Sequence, residues 1–237
     1  MLAENVIKGH KVTEEEALSI VQAPDEEVLE ILNAAYLIRK HHYGKKVKLN
    51  MIINTKSGLC PEDCGYCSQS IVSEAPIDKY AWLTKEKIVE GAQESIRRKA
   101  GTYCIVASGR RPTNREIDHV IEAVKEIRET TDLKICCCLG FLNEEHAGKL
   151  AEAGVHRYNH NLNTSQENYS KITSTHTYED RVDTVEAVKE AGMSPCSGAI
   201  FGMGESEAEA VEVALSLRSL DADSFLVIFS MQLTERR

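Results

Sequence analysis

Residues 49–67 read Leu49-Asn50-Met51-Ile52-Ile53-Asn54-Thr55-Lys56-Ser57-Gly58-Leu59-Cys60-Pro61-Glu62-Asp63-Cys64-Gly65-Tyr66-Cys67. The run opens as a β-like stretch over 49–53 and passes directly into a loop with cysteines spaced C-x3-C-x2-C. Three thiols so close in sequence can converge on one metal centre. Iron–sulfur clusters are held by cysteine thiolates, and a cubane has four irons, so a loop supplying three thiolates leaves one iron open for a reaction.

Two other chemistries compete for the triplet at this level. A structural zinc site is closed by four Cys or His ligands, usually in two pairs. Here there is one C-x2-C pair and one outlying cysteine, and nothing in the spacing ties His41 or His42 to the loop. Disulfides belong to oxidising compartments. Five further cysteines lie inside β-like runs, and Met1-Leu2-Ala3-Glu4-Asn5 shows neither the apolar stretch of a signal peptide nor an Arg-rich transit pattern.

Outward from the loop the chain alternates strand and helix patterns. Ile117, Val120, Ile121, Val124 and Ile127 recur at helical intervals after the capping box Thr113-x-x-Glu116, and Ser206-x-x-Glu209 opens another helix in the same way. Strands are expected over 49–53, 103–107, 135–139, 157–162, 195–200 and 225–229. Helices are expected near 84–100, 114–130, 143–153, 178–191 and 206–219, preceded by two near 13–21 and 25–42. Repeated strand–helix units imply parallel strands joined by right-handed crossovers. An eight-unit barrel takes about 250 residues, so this chain predicts an α/β fold, an incomplete TIM-type (βα) barrel of about six parallel strands. Residues 1–47 form an N-terminal helical extension expected to cover one barrel end, and 48–237 form the partial barrel.

The net charge of −9 across 237 residues argues against a nucleic-acid surface or an anionic membrane face, both of which need clustered Lys and Arg. No apolar run approaches the length of a membrane span. A soluble, cytoplasmic protein is expected.

Catalytic sites of such barrels gather at the C-terminal ends of the strands, where the cysteine loop begins. Cys104 lies in the second strand, Cys136, Cys137 and Cys138 in the third and Cys196 in the fifth. Side chains alternate along a strand, so Cys136 and Cys138 share a face and Cys137 takes the other. These thiols are either small buried hydrophobes or a second metal centre. Tyr158-Asn159-His160-Asn161-Leu162-Asn163 crowds amides around the fourth strand, as a ligand site or as a self-satisfied barrel layer. Gly198-Ala199-Ile200-Phe201-Gly202-Met203-Gly204-Glu205 allows close backbone approach after the fifth strand but lacks the G-x-G-x-x-G spacing.

The cysteine loop with Tyr66 before its last thiol resembles the signature of the radical S-adenosylmethionine superfamily. The blocks at 50–70, 103–108, 158–165, 177–181 and 195–200 resemble, in order, those of the biotin synthase family. The resemblance implies a [4Fe-4S] cluster on Cys60, Cys64 and Cys67, with S-adenosylmethionine filling the open iron, and a [2Fe-2S] cluster on Cys104, Cys136 and Cys196. It implies dethiobiotin as substrate, an electron donor such as flavodoxin or ferredoxin, and a homodimer. Tyr66 and Ala107 match positions near the adenosyl group, Asn161 and Asn163 positions near the ribose, Arg181 one near the carboxylate, and Asn159 and Asn161 positions facing the dethiobiotin ureido ring. Some members carry Asp where this chain has Asn163. Registering Cys136 three residues before Leu139-Gly140 leaves Cys137 and Cys138 as packing residues.

The similarity runs to about Ser224, and the tail 225–237 diverges from the family. The family continues with further units that include an arginine ligand of the [2Fe-2S] cluster and a substrate-holding asparagine. The expectation is a truncated product that binds a [4Fe-4S] cluster, makes no biotin and is poorly soluble. A different radical enzyme such as a hydrogenase maturase, and a non-catalytic metal-binding protein, are the competing readings.

Overall fold

The computed structural model describes residues 2–230. Its β-strands are β1 (Asn50–Lys56), β2 (Thr102–Ala107), β3 (Lys134–Cys138), β4 (Arg157–Asn159), β5 (Ser194–Phe201) and β6 (Ser224–Phe229). Its α-helices are α1 (Leu2–Ile7), α2 (Glu14–Val21), α3 (Val28–Tyr43), α4 (Lys85–Arg97), α5 (Asn114–Thr130), α6 (Glu144–Ala153), α7 (Tyr169–Ile172), α8 (Tyr178–Glu190) and α9 (Glu207–Ser219). The strands form one parallel sheet in the order β1-β2-β3-β4-β5-β6, with β1 and β6 at its edges among the described residues. This is the incomplete barrel the sequence predicts; positions 231–237 of the divergent tail lie outside the described residues.

Each crossover helix starts on a side-chain cap. Thr84, Thr113, Asn143, Thr177 and Ser206 each accept a hydrogen bond from the backbone N–H three residues on, satisfying a donor the helix cannot. The helices then bury one stripe. Ile117, Val120, Val124 and Ile127 of α5 are fully buried with Ile88 of α4 and Leu150 of α6 against Tyr103, Ile105, Ile135 and Tyr158 of the sheet. Each such side chain contributes about 1.5–3 kcal/mol.

Alternation along the strands decides what the barrel interior contains. On β2, Tyr103 and Ile105 face the helices while Cys104 and Val106 point the other way and are only half-buried. On β3, Cys137 packs in the helix-facing core at 0% exposure, so Cys136 and Cys138 face the interior. The better-buried layer is therefore between sheet and helices, and the interior retains room for a ligand.

One expectation is corrected. The fourth strand ends at Asn159 instead of running to 162. Beyond it only scattered bonds tie the chain to β5, with His160 N–H donating to Cys196 O at 2.9 Å and Asn163 N–H to Gly198 O at 3.0 Å, and Asn163 sits at φ +74°, which breaks the ladder. α1 packs on α3, α2 lies against α9, and the Arg218 guanidinium donates to Val12 O at 2.6 Å. The N-terminal strand ends, including Asn50, Thr102, Lys134 and Arg157, line a separate cavity together with Val47, Lys48 and Leu49.

Candidate active site

The loop after β1 is irregular backbone, and side chains and remote segments hold its shape. The Gln69 carbonyl oxygen accepts from Gly58 N–H at 2.5 Å and from the Ser57 hydroxyl at 3.2 Å. Cys67 N–H donates to Cys64 O at 3.1 Å, closing the turn between the last two thiols, and Gly65 N–H donates to Ile172 O at 3.0 Å. Asp63 fastens the loop to the segment before α8. Its carboxylate accepts from the Thr173 hydroxyl at 2.7 Å, from Ser174 N–H at 3.0 Å and from the Ser174 hydroxyl. Hydrogen bonds from Ser174 and Thr173 hold the Asp63 carboxyl well below the usual carboxylate range.

Neighbouring Glu62 is buried, at 4% exposure. Its Oε2 lies 2.7 Å from the Thr175 hydroxyl and accepts from His176 Nδ1, with Arg110 at 3.6 Å from Oε1. His176 in turn meets Arg181 of α8, whose Nη2 is 3.0 Å from Nε2. Arg181 also donates through Nη1 to Asn161 O at 3.0 Å and through Nε to the Tyr169 hydroxyl, and its guanidinium lies 5.6 Å from the centre of the Phe141 ring.

Cys60, Cys64, Cys67, Tyr66, Ala107, Asn159, Asn161, Asn163 and Arg181 all border one cavity of about 330 Å3 at the C-terminal ends of the strands. The loop after β1, the end of β2, the stretch around Asn159, Asn161 and Asn163, and the start of α8 thus converge on the place where barrel sites are built. Asn163 Nδ2 donates to the Tyr66 hydroxyl at 2.6 Å, joining two of the predicted nucleotide-facing residues. Asn159 donates to Asn161 Oδ1 at 3.1 Å and to Cys196 Sγ at 3.3 Å. Burial raises the Cys60 and Cys64 thiols, so deprotonation there calls for a metal's charge.

The strand thiols lie deeper. Cys104 and Cys136 are register partners on β2 and β3 and interact directly. Interaction with Cys136 lowers the Cys104 thiol, while Cys136 is raised by Cys104 and by burial. Cys138 borders the cavity instead of packing in the core, with Cys104, Cys196 and Arg181 as electrostatic neighbours, and burial pushes its thiol up to about 11. Cys137 is the only one of the three adjacent cysteines that the helix-facing core contains.

Among the described residues no three Cys, His, Asp or Glu side chains converge tightly enough for a single metal ion. A cluster makes a different demand, since cubane cysteines bind separate irons and stand apart. The eight cysteines are free thiols. Three of them, partly or fully buried and facing one cavity, suit a [4Fe-4S] cluster by donor type and number. His41 and His42 are exposed on α3 and do not border the cavity. His160 is buried against Phe141, and burial lowers its pKa and keeps it neutral. Glu62, Asp63 and His176 escaped the sequence reading, and their only signal was position, inside the cysteine loop and just before the Thr177 cap.

The Radical SAM superfamily profile matches residues 55–217. The biotin synthase of Bacillus mycoides (strain KBAB4) is 76% identical over 223 residues, covering 94% of this chain and 67% of that protein. That of Bacillus cytotoxicus is 77% identical over 218 residues, covering 92% and 66%. The chain thus spans about two thirds of the length of the curated relatives it matches. Among solved structures, methylornithine synthase superposes with a TM-score of 0.87 at 23% identity, over 98% of this chain and 68% of that one. A maturase of the [FeFe]-hydrogenase does so with 0.80 at 19%, over 99% and 54%. Those likenesses show the fold, an α/β barrel of parallel strands. Identity of 76–77% over more than nine tenths of the chain, together with the superfamily match over residues 55–217, places the chain in the biotin synthase family of the radical SAM superfamily.

Proposed function

We propose that the cavity at the C-terminal strand ends binds a [4Fe-4S] cluster and S-adenosylmethionine, and that the chain serves the conversion of dethiobiotin to biotin by sulfur insertion. The observation that carries this reading is the convergence of the three loop thiols with Tyr66, Asn161, Asn163 and Arg181 on one cavity. Reductive cleavage of S-adenosylmethionine at such a cluster supplies a 5′-deoxyadenosyl radical, and this chemistry is the cofactor's own.

The protein's part is placement. Cys60, Cys64 and Cys67 would anchor the cluster and leave one iron free for the amino acid end of S-adenosylmethionine. Arg181 offers a fixed cation for the carboxylate, since guanidinium geometry suits bidentate carboxylate recognition. Asn161 and Asn163 offer amides to the ribose hydroxyls; without the charge of the Asp found in some relatives, Asn163 would bind them by neutral hydrogen bonds. Asn159, held by Asn161 and Cys196, would face the ureido ring. Cys104, Cys136 and Cys196 below it would hold the [2Fe-2S] cluster that donates sulfur. Substrate would then sit between the two metal sites.

An electron donor such as flavodoxin or ferredoxin, a cytoplasmic location and pairing with a second copy belong to the same proposal, as do the 1–47 and 48–237 divisions of the chain. Among the described residues no helix is long and apolar enough to cross a membrane. The test is to reconstitute the protein with iron and sulfide, add reductant and S-adenosylmethionine, and measure 5′-deoxyadenosine with and without dethiobiotin. Formation that rises with dethiobiotin supports the reading. Formation indifferent to dethiobiotin points to another radical enzyme, and none at all from a cluster-loaded protein defeats it.

A further inference from the structure

An arginine that must meet a carboxylate has to be held still without being neutralised. Arg181 has five N–H donors and no acceptor, so the ring nitrogen 3.0 Å from its Nη2, His176 Nε2, must be the accepting one. The neutral ring then carries its single proton on Nδ1, the nitrogen that faces the Glu62 carboxylate. A continuous donor chain runs from Arg181 through His176 to Glu62, joining the start of α8 to the middle of the cysteine loop, 114 residues away from His176 in sequence.

We infer that Glu62 and His176 are positioning residues that set the Arg181 guanidinium for an anionic ligand in the cavity, and so link the cysteine loop to the grip on S-adenosylmethionine. The inference rests on the reading above that this cavity takes that nucleotide. A direct Glu62–Arg181 pair would occupy the guanidinium fork with the protein's own carboxylate. The imidazole between them holds the arginine by one N–H and keeps the two charges apart. Together with Asn161 O and the Tyr169 hydroxyl, it fixes three of the five N–H groups and leaves two without a partner among the described residues. Glu62 and His176 are 4% and 6% exposed, so water does not replace either link.

His176→Phe keeps the ring that packs on Phe141 and Tyr169 and removes both nitrogens. His176→Gln restores a donor and an acceptor. Each variant would be loaded with iron and sulfide and compared with wild type for iron content, cluster absorption and equilibrium binding of S-adenosylmethionine and of its decarboxylated analogue. His176→Phe is expected to keep its iron and bind S-adenosylmethionine about tenfold more weakly, a difference of about 1.4 kcal/mol. Glutamine should recover part of the loss, and the analogue without a carboxylate should bind both proteins alike. If His176→Phe does not fold, Glu62→Gln, which keeps shape and loses charge, should weaken S-adenosylmethionine by about threefold at unchanged iron. Unchanged affinity, or an equal loss for the decarboxylated analogue, overturns the inference. Iron loss in His176→Phe also overturns it, by showing that the ring serves the loop and not the arginine. A wild-type protein that takes up the cluster but binds no S-adenosylmethionine defeats the broader reading instead, a result these variants do not produce.

Discussion

The thiols of the cysteine loop and those of the strands reach their places by different means. Cys60, Cys64 and Cys67 sit on irregular backbone pinned by distant groups, chiefly Asp63 on residues 173–175 and Gly65 on Ile172. Cys104, Cys136, Cys138 and Cys196 are carried on β2, β3 and β5, where the parallel ladder fixes them in register. A loop can be shaped to its cluster by many small contacts, and loses that shape when one goes. A strand offers a rigid frame in which only alternate positions are useful, and neighbouring residues have opposite fates.

The largest effect expected from this contrast falls on the loop. Replacing Cys60, Cys64 or Cys67 by Ala removes one of three anchors, and each variant is predicted to lose the [4Fe-4S] absorption and S-adenosylmethionine cleavage almost completely. A normal spectrum and cleavage rate in any one of them breaks the assignment. The strand set should respond by position. Cys136→Ser is predicted to lower iron bound by the second site while Cys137→Ser leaves iron content unchanged, because Cys137 lies in the helix-facing core. Equal loss from both, or loss only from Cys138→Ser, would mean that the register is wrong.

The same contrast decides what the sequence could reveal. Strand and helix periods exposed the six strands and the crossover helices, because core-facing residues recur where geometry demands them. The short α1 and α7 escaped, being too brief for a helical period to show. So did the early end of β4, where Asn163 in the left-handed region interrupts the ladder. The loop thiols were legible because spacing alone brings them together. Which face of β3 looks inward was not, since alternation gives two equal answers until the helices are packed; the structure puts Cys138 at the cavity, where the resemblance left it as packing. Glu62 and His176 meet across 114 residues, and no local pattern encodes that contact.

The smallest effect sharpens the comparison most, because it perturbs one thiol set without touching a thiol. Asp63 is itself no candidate ligand, and its side chain bonds to Thr173, Ser174 and Thr175. Those donors stabilise a carboxylate, and their hydrogen bonds to an amide oxygen are roughly half as strong. Asp63→Asn is therefore predicted to leave the fold and the iron of the strand site intact while the [4Fe-4S] cluster is lost faster under a chelator. The comparison requires that asymmetry, for the loop depends on its anchor to 173–175 and the strands do not. Following the two clusters separately by their absorption during chelation measures it. Equal loss from both sites would show that the loop's shape is set by the barrel as a whole, and the distinction between a pinned loop and a self-fixed sheet would fail.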